Sequence, residues 1–308
     1  MGEGMPSNIT ESAVADISPE VQAPKIAVWQ PAHVARFGFM HLVGLGGPIL
    51  VGTTVQSWAV CLVLYVVHMF FVTAAYHRYF SHRTFSTSRP MQFIMAWMAQ
   101  SSGQRGVIWW ARNHRHHHRF SDTPDDIHSP VQTGFFQSHV GWIFDESIQS
   151  NARTVSDLER FPELVWLDKH WLVPPVVNGL LLFAATDLQI AVSGFLLSMV
   201  LVWHGTFTIN SLCHVWGWRR YATTDTSRNN IWLALLTLGE GWHNNHHHYM
   251  RSTRQGFFPG EIDITYGILK VMERLRLVWD LREPPAELLE GMREQRVGVP
   301  AIPTAAPR

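Results

Sequence analysis

Ser57-Trp-Ala-Val-Cys-Leu-Val-Leu-Tyr-Val-Val-His-Met-Phe-Phe-Val-Thr-Ala-Ala-Tyr76 runs for twenty residues without an Asp, Glu, Lys or Arg, and leads directly into His77-Arg-Tyr-Phe-Ser-His82. Twenty helical residues rise about 30 Å, the depth of a bilayer's hydrocarbon core. The stretch therefore reads as a membrane span over 57–77 that delivers a pair of histidines to one membrane surface. Upstream, the Gly-rich apolar stretch 34–52 reads as a preceding span, since Gly52-Thr-Thr-Val-Gln56 is long enough only for a hairpin turn. A second pair of apolar stretches, 171–186 and 188–212, is joined tightly at Thr186-Asp187. The expected fold is all-α and integral to the membrane: four spans in two hairpins.

Composition agrees. Hydrophobic residues make up 46% of the 308 and charged residues 16%, against about 25% charged in soluble domains. The deficit lies in the apolar stretches. A formal net charge of zero gives no electrostatic support for nucleic-acid binding. Cys61 and Cys213 lie in or beside apolar stretches, so a disulfide framework is not expected. Residues 1–30 lack the apolar core of a secretory signal and read as a disordered cytosolic lead-in. A single membrane domain over 31–283 follows, then a C-terminal helix and disordered tail over 284–308. Met91–Gln100 is too short to span and reads as an interfacial helix. Ile262 to Trp279 reads as an amphipathic helix whose apolar positions include Val271 and Leu275.

Both hairpin turns lack Lys and Arg, whereas 78–170 and 213–283 hold most of the basic residues, Arg78, Arg83, Arg112, Arg219 and Arg220 among them. The positive-inside rule then puts those two segments, and both termini, on the cytosolic side as a helical cap. That topology gathers the histidines. His114, His117 and His118 stand at i, i+3 and i+4, and His243, His246 and His247 repeat the spacing. Such triplets share one helix face, and two facing triplets surround metal ions in helical bundles. His77 and His82, five apart, make sense if the span ends near His77 and the chain turns before His82. His214 closes the last span at the same depth. Imidazole suits Fe, Zn, Cu and Ni alike, so spacing predicts a dimetal site without naming the metal. Glu240, Asp122, Asp125 and Asp126 flank the boxes as candidate outer partners of ligand imidazoles. His116 and His248 break the spacing, His68 reads as a hydrogen-bonded buried histidine, and His33, His41, His139, His170 and His204 carry no pattern.

His77-x4-His82, His114-x2-His117-His118, Asn210-x3-His214, Gly239-Glu-Gly-Trp-His243-x2-His246-His247 and Gly134-Phe-Phe-Gln-Ser-His-Val-Gly-Trp142 together resemble the membrane-bound fatty-acid desaturases, specifically the stearoyl-CoA (Δ9) branch, over about 37–282. The resemblance implies two iron ions held by His77, His82, His114, His117, His118, His214, His243, His246 and His247, with Asn210 holding a bound water. It implies O2-dependent insertion of a cis double bond, at Δ9, into a saturated C16–C18 acyl chain carried on CoA or lipid. Electrons would come from a ferredoxin- or cytochrome b5-like donor. Substrate contacts carry over to Gln104, Trp110 and Thr206. The Trp109-Trp110 pair and the lack of a fused cytochrome b5 module are more similar to bacterial members, which implies a bacterial inner membrane rather than endoplasmic reticulum. One departure bears on the carrier: Asp145-Glu146 stands where animal members place basic residues near the CoA phosphates, and acidic groups there disfavour an anionic nucleotide.

Counting back from His77 along a straight helix puts Met69 about 12 Å deeper and Tyr65 about one turn beyond, so both are expected to close the substrate tunnel. A di-iron hydroxylase of alkyl chains is the alternative enzyme. A non-catalytic metal-binding or transport protein is the alternative outside catalysis, although a transporter should carry ionisable groups along its spans.

Overall fold

Thr54 starts the long central helix with a reciprocal cap. Its Oγ1 accepts the Ser57 backbone N–H (3.1 Å) while its own N–H donates to Ser57 Oγ (2.9 Å), satisfying two donors that a helix start leaves bare. Gly52, at φ +78°, makes the left-handed step that turns the chain out of the preceding helix. The computed structural model describes residues 29–145 and 154–289. The expected N-terminal lead-in up to residue 28, Glu146 and the tail from 290 lie outside the described residues.

Among the described residues, three helices are long and apolar enough to cross a membrane: Pro31–Val51, Val55–Ser81 and Leu188–Val215. The expected fourth, Val173–Ala185, has 13 residues. It rises about 20 Å, short of the roughly 30 Å a span needs. Pro174 and Pro175 confine its start, because proline is tolerated in a first helical turn and not inside. Asp187 caps the next helix through the Ile190 N–H (2.8 Å).

The Val55–Ser81 helix changes character along its length. From Val55 to Val67 most side chains are exposed, as a lipid-facing helix would be, whereas from His68 to Ser81 nearly all are buried. The change coincides with a switch from α to π winding over Val72–Ser81. The helix itself therefore does not stop at His77. The helix continues, and the His82 N–H donates to the His77 carbonyl (3.2 Å). A gap of five residues is a full π turn, so the wider winding puts on one face two histidines that an α-helix would separate.

Above the membrane the buried core joins Tyr76, Phe80, Met95, Ala111, Leu167 and Leu269. Arg89–Gln100 packs one face into it, with Met95, Ala96 and Ala99 fully buried, and leaves Ile94 exposed on the other. The last amphipathic segment is shorter than its pattern, a helix over Ile264–Arg274 followed by a two-residue strand, Val278–Trp279, antiparallel to Ser86–Thr87. Leu269 supplies the buried contact, while Val271 and Leu275 are exposed. Arg78 lies in the cap, as its segment is expected to. Its side chain is 0% exposed, so it is a structural ion within the cap rather than a surface charge facing the cytosol.

Candidate metal centre

The helix that carries His114, His117 and His118 is Val107–Phe120. Asp168, from the neighbouring Pro162–Lys169 helix, caps it by accepting the Ile108 and Trp109 N–H groups (2.9 and 2.8 Å). Gly106 is required for this approach, because a Cβ there would stand 2.0 Å from the Asp168 carboxylate. The second triplet sits on the short helix His243–His248.

Nine histidines converge in two sets. His77, His82, His114, His118 and His246 form one; His117, His214, His243 and His247 form the other, with ligand atoms in each set within 4.8 Å of one another. The triplets thus divide between the sets instead of acting as units. Residues four apart on each helix (His114 and His118, His243 and His247) keep together, while His117 and His246 cross to the opposite set. Helical rotation explains the division, since three residues advance 300° and four advance 400°, which diverge to either side of the starting position.

In the five-histidine set Nε2 faces Nε2 around a chain: His77 to His246 at 3.0 Å, His246 to His118 at 3.0 Å, His118 to His114 at 3.0 Å and His114 to His82 at 2.8 Å. A neutral imidazole carries one N–H and one lone pair. His77 commits its proton outward, donating from Nδ1 to Glu240 (2.5 Å). The other set commits three in the same way: His117 to Asp126 (2.9 Å), His214 to Asp122 (3.1 Å) and His247 to Asp225 (2.6 Å). Carboxylates only accept, so these contacts fix the tautomer and leave Nε2 as a bare lone pair. Nε2 of His247 is buried with no hydrogen-bond partner among the described residues. Buried lone pairs aimed at one another are costly unless a cation lies between them. Separations near 3 Å are also those of ligand atoms that share one ion at 2.0–2.1 Å. The donor sets therefore fit two metal ions. Outward carboxylates that hold ligand imidazoles in place are the usual support for such sites.

Electrostatics favour the deprotonated state in six of the nine histidines, whereas Asp126 draws His117 the other way, above the ordinary histidine range despite its burial. Burial, then neighbouring imidazoles, holds His82, His114, His118, His243 and His246 well below the ordinary histidine range. Burial also brings His247 down to about 4, against the pull of Asp225. Burial works against ionised carboxylates too, yet His77 and Arg78 hold Glu240 at about 2. Asp122, Asp126 and Asp225 are held well below the usual carboxylate range by their histidine partners, again against burial. An unfolded histidine protonates near 6.5. The unfolded chain therefore takes up protons that the folded one refuses, and stability present above about pH 6.5 is lost as the pH falls from there towards 4. We expect the metal-free protein in detergent to melt at steadily lower temperature across that window, with little change between pH 7 and 8. A flat melting curve down to pH 4.5 would contradict the burial of neutral imidazoles. Replacing Asp225 by Asn should weaken metal retention by about 10–100-fold, read as metal left after a timed chelator challenge.

A cavity of about 710 Å³ meets the centre at His114 and Asn210. It follows one face of the Leu188–Val215 helix through Leu188, Ala191, Phe195, Met199, Trp203 and Thr206. Gln104, Trp110 and Thr206 line it, and Gln104 donates to Thr206 Oγ1 (2.9 Å). Trp110 stacks between Tyr76 (centroids 5.3 Å apart) and His114 (4.8 Å). Tyr65 and Met69 are not among its lining residues. Met69 is 1% exposed and packs, with Tyr65, over Gly205, and the Tyr65 hydroxyl donates to the Leu236 carbonyl (2.8 Å). Depth counted along a straight α-helix does not carry facing across a π segment, and Gly205 leaves a seat that the two bulky side chains fill.

Several residues emerge only in three dimensions. Asp225 comes from a polar loop with no spacing signal. His128 is buried against His117 (4.3 Å between centroids) and with Asp126 forms a third possible ligand group. His41, His204 and His139 form a hydrogen-bonded chain (2.9 and 3.1 Å) that ends on Ser211. Of the outer candidates, Asp125 meets His116 through its backbone carbonyl (2.9 Å). His248 turns away to stack on Tyr221. His68 lies edge-on to Phe195, with no hydrogen-bond partner at Nδ1 among the described residues. Asp145 is buried and bridges Trp29 through its backbone, so it is not a surface acid facing a nucleotide.

The sequence pattern described as Fatty acid desaturase matches residues 53–253, which hold all nine histidines. The chain belongs to the fatty acid desaturase family. It is accordingly an enzyme, an oxidoreductase. Among relatives of this desaturase, Delta-9 acyl-lipid desaturase 1 of Arabidopsis thaliana is 36% identical over 250 residues, covering 80% of this chain and 81% of the relative. The sn-2 palmitoyl-lipid 9-desaturase of Nostoc sp. (strain 36) is 31% identical, covering 83% and 91%. The Acyl-CoA C20 Delta5-desaturase of Anemone leveillei is 33% identical, covering 82% and 81%. Relatives at similar distance thus differ in double-bond position and in acyl carrier.

Proposed function

We propose that this desaturase inserts a cis double bond at Δ9 into a saturated C16–C18 acyl chain, using two iron ions, O2, and electrons from a ferredoxin- or cytochrome b5-like partner. The observation that carries the reading is the meeting of nine converging imidazoles with the head of a long apolar cavity. His77, His82, His114, His118 and His246 would hold one ion, and His117, His214, His243 and His247 the other, with Asn210 holding a water. Bound iron supplies the one-electron and O2 chemistry that removes hydrogen from an unactivated methylene, which no side-chain acid or base achieves.

The chain's own residues do the positioning. Glu240, Asp122, Asp126 and Asp225 keep protons on Nδ1, so that Nε2 stays a ligand. Trp110 forms a flat wall beside His114, and the Gln104–Thr206 hydrogen bond braces the cavity opposite it. An alkyl chain has no polar handle at its middle, so regiochemistry rests on this shape. The topology we propose has four spans, the short Val173–Ala185 helix completing the fourth, with both termini cytosolic in a bacterial inner membrane. All nine ligands then sit at the cytosolic ends of the spans, unlike the mid-membrane ionisable groups of a transporter.

The test is expression in membranes supplied with deuterated C16 and C18 saturated acyl chains, and location of new double bonds by mass spectrometry. A Δ9 alkene is expected. An alcohol at the same carbon would replace this reading with the hydroxylase, and a different double-bond position would remove the Δ9 assignment.

A further inference from the structure

The cavity is longer than one substrate chain requires. It follows the Leu188–Val215 helix from Leu188 to Asn210, about 33 Å at 1.5 Å per residue, which is the whole hydrocarbon depth. An acyl chain whose middle lies at the histidines fills only the part near the cap. The deeper part is flanked by large apolar side chains that are exposed on the molecular surface: Phe39 on one side, and Val176, Leu180 and Phe183 on the other. This part is a groove open to lipid along the membrane-embedded face, between the Pro31–Val51 and Val173–Ala185 helices.

At its cap end the same cavity is lined by Arg36, Arg105, Trp109 and Trp171. Arg36 is exposed, one turn after His33, and has no carboxylate partner among the described residues. Arg105 lies over the rings of Trp109 and Trp171 (5.4 and 5.5 Å) and reaches His33 Nε2 at 3.0 Å. Its backbone is in the left-handed region (φ +72°), with its carbonyl accepting the Tyr76 hydroxyl (2.6 Å). A non-glycine residue held there by its surroundings marks a position where conformation serves a task. Paired indoles mark headgroup depth in a bilayer, and arginine is the side chain best shaped for a phosphate.

We infer that this desaturase takes a diacyl phospholipid directly from the bilayer. Arg36, with Arg105 beside it, receives the phosphate, one acyl chain passes Trp110 to the histidines, and the other lies in the groove past Val176 and Leu180. The inference rests on the cavity being the acyl site proposed above. It commits to a lipid and not to acyl-CoA, because the groove would be idle for a substrate with one chain and the opening faces the membrane.

Native mass spectrometry of the detergent-purified full chain tests both contacts. Dipalmitoylphosphatidylglycerol, its single-chain lyso form, dipalmitoylglycerol and palmitoyl-CoA are offered as separate probes. Arg36→Gln should weaken phosphatidylglycerol binding about tenfold and leave dipalmitoylglycerol unchanged, while Arg219→Gln, at an exposed residue outside the cavity lining, changes neither. Val176→Trp should weaken the diacyl form several-fold more than the lyso form. Equal binding of phosphatidylglycerol by wild type and Arg36→Gln would overturn the phosphate site. Equal effects of Val176→Trp on both lipid forms, or none on either, would overturn the second-chain groove. Displacement of phosphatidylglycerol by palmitoyl-CoA in an Arg36-dependent manner would assign the arginine to the thioester carrier instead. These readouts need no turnover: lipid binding as expected without an alkene product would sink the proposed reaction and leave the lipid site standing.

Discussion

His246→Ala should abolish desaturation and strip the protein of at least half its bound metal, which we propose to be iron, while leaving it inserted in the membrane. His246 is where the two triplets interlock. It comes from the His243–His248 helix, yet its Nε2 faces His77 and His118 of the five-histidine set at 3.0 Å each. Truncation removes the one ligand that this helix gives to that set and leaves His77 and His118 without their shared neighbour. Losing even an outer hydrogen-bond partner of a ligand typically costs about 10–100-fold in affinity or activity, so losing the ligand should exceed the upper figure. The side chain is buried away from the membrane-spanning surface, so insertion should be untouched. Metal analysis of purified protein separates the outcomes. Wild-type iron content with full activity would remove His246 from the ligand set, and wild-type iron with no activity would make it a positioning residue.

The gathering of the histidines was legible in the sequence because their spacing is a local property of helices. Which histidines share an ion was not, because that depends on how two helices face each other. The i, i+3, i+4 triplet shares one face of its helix, yet at the scale of ligand atoms His117 and His118 diverge to different sets. His77 and His82 show the converse. Their spacing of five looked incompatible with one helix face because α winding was assumed, whereas π winding over Val72–Ser81 aligns them. Nothing in Val-Thr-Ala-Ala-Tyr-His-Arg-Tyr-Phe-Ser announces that winding, which is stabilised by its buried surroundings. The same assumption misplaced Tyr65 and Met69. Three spans were legible from the absence of charge, and the stretch expected over 171–186 is helical over Val173–Ala185, its start confined by Pro174 and Pro175.

The outer carboxylates are shared unequally. Three of the four histidines in the smaller set donate to an aspartate, against one of five, His77, that meets a glutamate in the larger. Anionic partners raise the basicity of a ligand imidazole. On the proposed di-iron reading, the four-histidine set would gain in donor strength what it lacks in donor number.

The single carboxylate of the larger set depends on Arg78, and Arg78→Met should be the most destabilising single change in the cap. The guanidinium donates from Nε and Nη2 to Glu240 Oε1 (3.1 and 3.0 Å), and from Nη1 to the Thr253 carbonyl (2.8 Å) and Asp263 (3.0 Å). Glu240 in turn holds His77, while Asp263 accepts the Tyr266 N–H and caps the Ile264–Arg274 helix. Methionine fills similar volume but leaves two buried carboxylates facing each other without a cation. Breaking a buried pair from one side costs about 3–5 kcal/mol, a large part of the 5–15 kcal/mol that holds a typical protein folded. We expect a melting temperature lower by about 10 °C or more in detergent and a reduced yield of monodisperse protein. Arg78→Lys keeps the charge but cannot present the planar fork, so it should fall between methionine and wild type. Adding Asp263→Asn to Arg78→Met removes one stranded charge and should restore part of the loss. An Arg78→Met protein that melts within a degree or two of wild type would show that Glu240 and Asp263 are held by other means, and the proposed link from cap stability to His77 orientation would fall with it.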